Sequence, residues 1–376
     1  MTFRRDVFAV GRGQYENIGD VILRRPLLDW ARATGRLHVY VGRSPEGYDE
    51  GLGIGSTDVV YRSFWRWYVA LLVAALRGRA NSIYKPGEIQ LSLLGMKEHV
   101  VMIPAAAIVR LRGGVVARIG VGARSFARLP RALMWPSNAL SSYTRWRDEG
   151  TAGYLGFGSA MPDLGFAEGL DDGAIVRAIA DESPRSLLVV SLRADAEVAP
   201  RPYPQRAWFE GVKAFAESEG LEVWVATQVS VDNDRSRRLA TDLGAHLLEW
   251  PELSNHRQQE AKLRELYRRA RVVASDRLHV IIAAFTEGAA PVGLQLDDAD
   301  KVSRHFDTIG IAGVTINASA MPAEQICASL ARIARRRAAM LERLLAARSR
   351  LRQVHAELHG LLSGEQAAPL RVESQP

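Results

Sequence analysis

The chain has 376 residues, 47% of them hydrophobic and 24% charged, which is globular composition and excludes a disordered polymer or a fibre. Its length exceeds the usual single domain of about 100–200 residues, so two domains are expected. A formal net charge of +7 points to acidic partners, whether phosphorylated metabolites, anionic lipid or nucleic acid, and a lone cysteine, Cys327, excludes a disulfide framework and a cysteine zinc site.

From the N-terminus, Met1-Thr2-Phe3-Arg4-Arg5-Asp6 runs straight into a strand with no cleavable apolar segment before it, which predicts a cytoplasmic, reducing location. That strand covers 6–10. A polar loop with Asn17-Ile18-Gly19-Asp20 follows, then a helix over 21–33 and a strand over 37–41. Repetition of this β-loop-α-β unit favours a parallel, doubly wound sheet.

Phe64-Trp65-Arg66-Trp67-Tyr68 opens the most apolar stretch, 64–76, which is too short for a bilayer span of about 20 residues. With aromatics at one end and Arg77 and Arg79 at the other, it reads either as a buried core helix or as an interfacial helix against a bilayer. Strands are expected at 100–103 and 115–120, with an alanine-rich helix between them, and the first domain is expected to end near 165.

The second half alternates again. Strands are expected at 186–192, 221–226, 245–248, 271–274 and 290–294, with helices at 205–219, at 257–269 and after Arg277. Residues 322–362 read as a long amphipathic helix or helix pair, with Leu341, Leu344, Leu345 and Leu351 on its apolar stripe. The expected division is 1–165, 166–325, a helical segment at 326–362 and a disordered tail at 363–376.

Ala274-Ser275-Asp276-Arg277-Leu278-His279 carries the most information about chemistry. Ser275 or Asp276 reads as the N-cap of the apolar helix that follows, which puts Arg277 and His279 in its first turn. The helix dipole disfavours cations there, so two basic groups beside free backbone N–H donors fit a bound anion. A surface arginine and a core histidine would account for the same residues.

This segment resembles the polysaccharide pyruvyl transferase family, in which an Arg-Leu-His triplet follows a Ser-Asp or similar pair. Further matches lie in family order. Asn17-Ile18-Gly19-Asp20 is similar to the family's Gly-Asn-x-Gly-Asp, with Glu16 where the first glycine stands. Arg147-Asp148 with Thr151, Pro162-Asp163-Leu164, and Ser191-Leu192-Arg193 correspond to its later elements. The resemblance implies an α/β, GT-B-like fold, two Rossmann-like domains facing across a cleft, with Asp20 on one wall and Arg193, Arg277 and His279 on the other.

It also implies transfer of the pyruvyl group of phosphoenolpyruvate, as donor substrate, onto two hydroxyls of a terminal hexose in a cell-surface glycan or glycolipid precursor. The acceptor is then a saccharide or lipid-linked saccharide, with peripheral contact at the inner face of the membrane. Arginine forks grip carboxylate or phosphate, so Arg193 and Arg277 are expected to bind the donor, beside Leu278 and His279. His279 would donate to phosphate or act as the acid. Asp20 would serve as general base or as a helix cap, and Asn17 would orient Asp20 or bind sugar. Lys301 is a further candidate for substrate binding in a polar loop, where a surface lysine is the simpler reading. Asp148 and Asp163 read as caps of turns or helices. No His, Cys and carboxylate cluster has metal-ligand spacing, and neither metal nor cofactor is expected.

Two rival readings remain open. A nucleotide-sugar-dependent GT-B glycosyltransferase would use the same basic residues on a diphosphate. A basic membrane- or nucleic-acid-binding module would rest on the charge and on the arginines between Arg332 and Arg352, though these carry no recognised nucleic-acid motif.

Overall fold

A computed structural model describes residues 5–90, 96–124, 128–180, 185–194, 201–251 and 255–364 and builds the chain from two parallel sheets, each covered by helices on both faces. The first sheet holds β1 (Asp6–Val10), β2 (Leu37–Tyr40), β3 (Val59–Tyr61), β4 (Ala80–Tyr84), β5 (Gly87–Gln90), β6 (Val116–Arg124), β7 (Tyr143–Trp146) and β8 (Ser159–Ala160). Their order is β3-β2-β1-β4-β6-β7-β8, with β5 paired to β6 off this path. Helices α1 (Ile18–Thr34), α2 (Tyr48–Gly51), α3 (Phe64–Leu76), α4 (Lys97–Val101), α5 (Ile103–Leu111), α6 (Arg128–Ala139) and α7 (Glu149–Leu155) belong to this half. The period-2 alternation of β1 decides which helix covers which face. Val7 and Ala9 join the core that includes Val21 and Leu23 of α1, while Phe8 joins Trp67 and Leu71 of α3 and Ala105 of α5 on the other side.

The second sheet has the order β11-β10-β9-β12-β13-β14, built from β9 (Leu187–Ser191), β10 (Glu222–Ala226), β11 (His246–Leu248), β12 (Ala270–Ser275), β13 (Ala290–Gln295) and β14 (Thr315–Asn317). This is the 3-2-1-4-5-6 order of a dinucleotide-binding sheet, whose switch point lies between its first and fourth strands, here β9 and β12. Its helices are α8 (Asp172–Ala180), α9 (Arg206–Ser218), α10 (Asn233–Leu243), α11 (His256–Arg269), α12 (Leu278–Thr286) and α13 (Lys301–Asp307). α14 (Ala323–Ala334) and α15 (Arg337–Ser363) close the described chain as a helix pair.

α15 is a strap across both halves rather than an appendage. Arg337 near its start donates to Gly288 O in the second half, and Arg348 at its middle donates to Phe166 O and Leu170 O in the connection. Near its end, Glu357 accepts from Tyr143 and Arg145, His355 stacks on Trp30, and Leu362 O accepts from Asn81, all in the first half. Leu341, Leu344 and Leu351 are buried as the stripe predicts, with Leu345 partly buried against the same core. A short 3-10 turn, Leu164–Ala167, straddles the expected boundary at 165. Of the expected tail, residues 365–376 lie outside the described part.

Two segments depart from the elements their sequence suggests. Residues 100–103 are not a strand: Val100 and Val101 end α4, and Ile103 begins α5 with Pro104 in its first turn, where a missing N–H costs nothing. The cap of α12 is neither Ser275 nor Asp276 but Arg277. Ser275 continues the strand, paired with Ser191 and Gly293, and the Asp276 carboxylate accepts from Arg193 N at 2.8 Å, so the helix starts at Leu278.

A buried ionic network joins the halves. Arg25 of α1 meets Glu168 at 3.0 Å and Glu260 of α11 at 2.6 Å; Arg264 meets Glu168, Glu260 and Glu287 at 3.1, 2.8 and 2.9 Å. Each charge is compensated, which is the condition for burying it.

Candidate active site

The carboxyl ends of the two sheets face each other across a cleft of about 830 Å³. All seven expected site residues line it: Asn17, Asp20, Arg193, Arg277, Leu278, His279 and Lys301. The loop that carries Asn17 touches the loop after β10 in the second half directly. Asn17 forms an antiparallel bridge with Val229, and Ser230 N donates to Glu16 O at 3.0 Å. Gly19 lets the start of α1 lie close against α12, because a Cβ there would lie 2.7 Å from His279 Cβ.

Asn17, not Asp20, caps α1: its side chain accepts from Gly19 N at 2.9 Å. Asp20 reaches back to Gln14 N at 2.7 Å and lies 3.3 Å from the buried Arg24 guanidinium. Burial opposes its ionisation, but Arg24, the Gln14 N–H and His279 prevail and hold the carboxyl below its usual range. Asp20 is therefore a standing carboxylate, well suited to accept hydrogen bonds and poorly tuned as a general base near neutral pH.

His279 Nε2 lies 3.6 Å from Oδ1 of Asp163, an ion-pair distance rather than a hydrogen bond. Asp163 is fully buried and accepts from Gly165 N. Burial pushes its pKa up, yet His279, Arg147 and His305 outweigh that and keep it well below the ordinary carboxylate range. Arg147 lies 3.7 Å from Asp163 and 3.8 Å from Glu88, and Glu88 pairs at 2.8 Å with Lys301 from the opposite domain. A line of alternating charge thus crosses the cleft twice. Lys301 is the first residue of α13 rather than part of a loop.

The basic residues expected to hold an anion differ in their engagement. Arg277 directs Nε and Nη2 onto the buried Asp232, the latter at 2.8 Å. Arg193 stands at the switch point, past the end of β9, where its backbone N–H meets Asp276. Burial is the main force on Asp276 and pushes it up to about 6, against the Arg193 N–H and the Arg277 and Arg201 guanidiniums. Asp148 caps α7 through Thr151 N, as its loop position predicts.

Arg24, Glu88 and Gln228, which no sequence motif marks, also line the cleft, as does Arg147 of the Arg147-Asp148 motif, to which no role was assigned. Asp163 was read only as a cap, but it also stands behind His279. Among the described residues, no group of three or more His, Cys, Asp or Glu is placed to hold a metal ion.

No family model matches the chain, and no curated protein matches it in sequence. Its fold matches solved structures over nearly its whole length. A Listeria monocytogenes protein assigned as a UDP-N-acetylglucosamine 2-epimerase aligns with TM-score 0.58 at 12% identity, covering 97% of this chain and 98% of its own. The UDP-GlcNAc 2-epimerase of Neisseria meningitidis, bound to UDP-GlcNAc, gives 0.55 at 9% identity over 90% and 94%. Anabaena HepE, in complex with UDP and glucose, gives 0.53 at 10% over 94% and 100%. The chain has the GT-B-like fold. The expected transfer of a pyruvyl group from phosphoenolpyruvate is overturned by the same finding: the structural neighbours are UDP-GlcNAc 2-epimerases and GT-B glycosyltransferases, not pyruvyl transferases.

Proposed function

We propose that this protein is an enzyme acting on a nucleoside diphosphate sugar, and specifically a glycosyltransferase that binds the donor on the second domain and a saccharide acceptor on the first. The observation that carries the reading is the cleft itself. It lies at the β9/β12 switch point, where open α/β sheets take nucleotides. Its volume of about 830 Å³ is near the top of the range for small-molecule sites, and its lining comes from both domains, which suits two substrates. An epimerase, by contrast, needs room for one. The neighbours bound to UDP-GlcNAc and to UDP with glucose support the donor class.

In this reading Arg193 and the N-terminus of α12 receive the diphosphate. Asp20, held ionised by Arg24, accepts from acceptor hydroxyls. His279 is the proton carrier: Asp163 faces its Nε2, which leaves Nδ1 for substrate.

Calorimetry and thermal unfolding with UDP, UDP-GlcNAc and phosphoenolpyruvate test the donor class. Saturation at about 100 times Kd adds roughly 2.7 kcal/mol of stability, so nucleotide and nucleotide sugar should raise Tm by several degrees while phosphoenolpyruvate leaves it unchanged. Failure of every nucleotide to bind would sink the proposal. Turnover of UDP-GlcNAc alone to its C2 epimer would replace the transferase with an epimerase.

A further inference from the structure

One segment of the first domain, which carries its outer helices together with β4, β5 and β6, has a composition unlike the rest of the chain. Residues 62–131 hold twelve Arg and Lys against two Glu, while all other residues hold 37 basic against 40 acidic. The positive charge of the protein is therefore concentrated in this one segment. Both glutamates are engaged, Glu88 with Lys301 and Glu98 with Lys85.

The same segment exposes apolar side chains. α3 buries Trp67, Tyr68, Leu71 and Ala75, but its opposite face presents Trp65, Val69, Val73 and Leu76 to solvent at the i, i+4, i+8, i+11 spacing of a second stripe. α5 packs beside α3, and α6 packs on α4 and α5, so the helices form one layer. α6 adds exposed Leu133 and Trp135, the latter 69% accessible. Nine of the twelve large apolar side chains exposed among the described residues lie between 65 and 135, too concentrated to be the single scattered exposures normal on a surface. Exposed Arg66, Arg77, Arg110, Arg112 and Arg131 stand among them.

We propose that this layer docks on a bilayer surface carrying anionic lipid, with Trp65 and Trp135 entering the headgroup region and the arginines meeting lipid phosphates. Tryptophan and arginine side by side on an exposed helical face match that interface chemically. A second copy of the chain would bring the same positive layer against itself and is repelled. A nucleic acid would use the charge but leave the valine and leucine stripe uncovered. The layer also borders the cleft: Phe64 lines it next to Trp65, and Val101 and Met102 line it next to exposed Val100. A membrane-tethered acceptor on the docked surface therefore reaches the first-domain wall directly. This last step rests on the transferase reading, but the docking does not.

Flotation of the full chain with phosphatidylcholine vesicles, with and without phosphatidylglycerol, tests the proposal. The protein should float with the anionic vesicles and be released by salt. The double variant Trp65→Ser, Trp135→Ser should keep its Tm and lose at least about tenfold in vesicle affinity. Arg66→Glu with Arg112→Glu should do likewise, since each basic residue near an anionic leaflet contributes about fivefold. Retention of full binding by both variants overturns the proposal, as does failure to float with anionic vesicles. So does a wild-type dimer in solution that the tryptophan variant dissolves, or binding to a single-stranded oligonucleotide in preference to anionic vesicles. Donor binding by calorimetry should be the same in wild type and both variants, so loss of docking and failure of the nucleotide-sugar reading are separate results.

Discussion

At the domain junction Arg25 and Arg264 are threaded between the buried carboxylates of Glu168, Glu260 and Glu287, whereas in the outer layer of the first domain Arg66, Arg110 and Arg112 stand in solvent beside Trp65 and Leu111. The two regions use one residue type for opposite ends. At the junction arginine is compensated and holds two sheets in register; in the outer layer it is left in excess, so its charge is available to a partner. A formal charge of +7 says nothing of this division. It becomes informative only when each arginine is assigned to a carboxylate or to solvent.

Removing Arg264 should break the comparison most visibly. Arg264→Ala leaves Glu168, Glu260 and Glu287 with Arg25 and Arg268 as their ion-pair partners among the described residues, and breaking a buried ionic network from one side costs about 3–5 kcal/mol. Arg112→Ala in the outer layer should change stability by no more than about 0.5 kcal/mol. Urea unfolding of both variants measures the difference. Equal, small losses would mean that the junction is not held by its charges.

The cleft between these regions should respond to pH through Asp276. Its folded pKa of about 6 lies above the unfolded value of about 3.9, so the folded state binds the extra proton between those two values. The resulting stability is fully present below about pH 4 and is lost as pH rises through 6. Relative to Asp276→Asn, the wild type should lose on the order of 1–3 kcal/mol across that window. Above pH 6 the ionised carboxylate also faces any bound diphosphate, so wild-type affinity for UDP should fall there, and the asparagine variant should show a flatter profile. A flat difference curve would place Asp276 in a well-hydrated setting instead.

How far these features could be read from the sequence depended on whether they were local. The β12 to α12 passage was legible because Val272, Val273 and the run from Val280 to Phe285 are continuously apolar, and the C-terminal leucine stripe was legible for its period. β4 was missed because a buried strand carrying Asn81 and Ser82 looks like a loop; Asn81 donates to Leu362 O and accepts from Val115 N, both from distant segments. Residues 100–103 misled because a β-branched run imitates a strand when Pro104, in fact a helix starter, is not weighed. In the site, Asp20 and His279 lay in compact motifs. Their surroundings did not: Asp163 behind His279, and Glu88 with Lys301, are pairings between distant positions, visible only once the domains close. The stretch at 64–76 reads as core or as interfacial helix from its sequence; in the fold one face is core, with Trp67 buried and donating to His38 O, while Trp65 on the other face is 67% exposed.

Glycine offers the finest test of the contrast between a junction under close contact and a surface that is free. At Gly19 an added Cβ would stand 2.7 Å from His279 Cβ, with Asn17 Oδ1 and the Gln228 side chain at 3.0 and 3.1 Å. The two amide ends can rotate aside, but His279 Cβ cannot recede without moving α1 from α12, so Gly19→Ala should cost roughly 1–3 kcal/mol, as overpacking of a tight site does. It should also weaken UDP binding, because Asn17 and His279, which flank Gly19, both line the cleft. Gly153 lies inside α7, is exposed, and has nothing within 4 Å of the same added atom. There the only change is in helix propensity, which favours alanine by about 0.5–1 kcal/mol, so Gly153→Ala should stabilise the protein and leave UDP binding untouched. The opposite signs are the content of the prediction, read from the urea midpoints of the two variants. If Gly19→Ala were neutral or stabilising, the starts of α1 and α12 would not be in the contact on which the interdomain site depends.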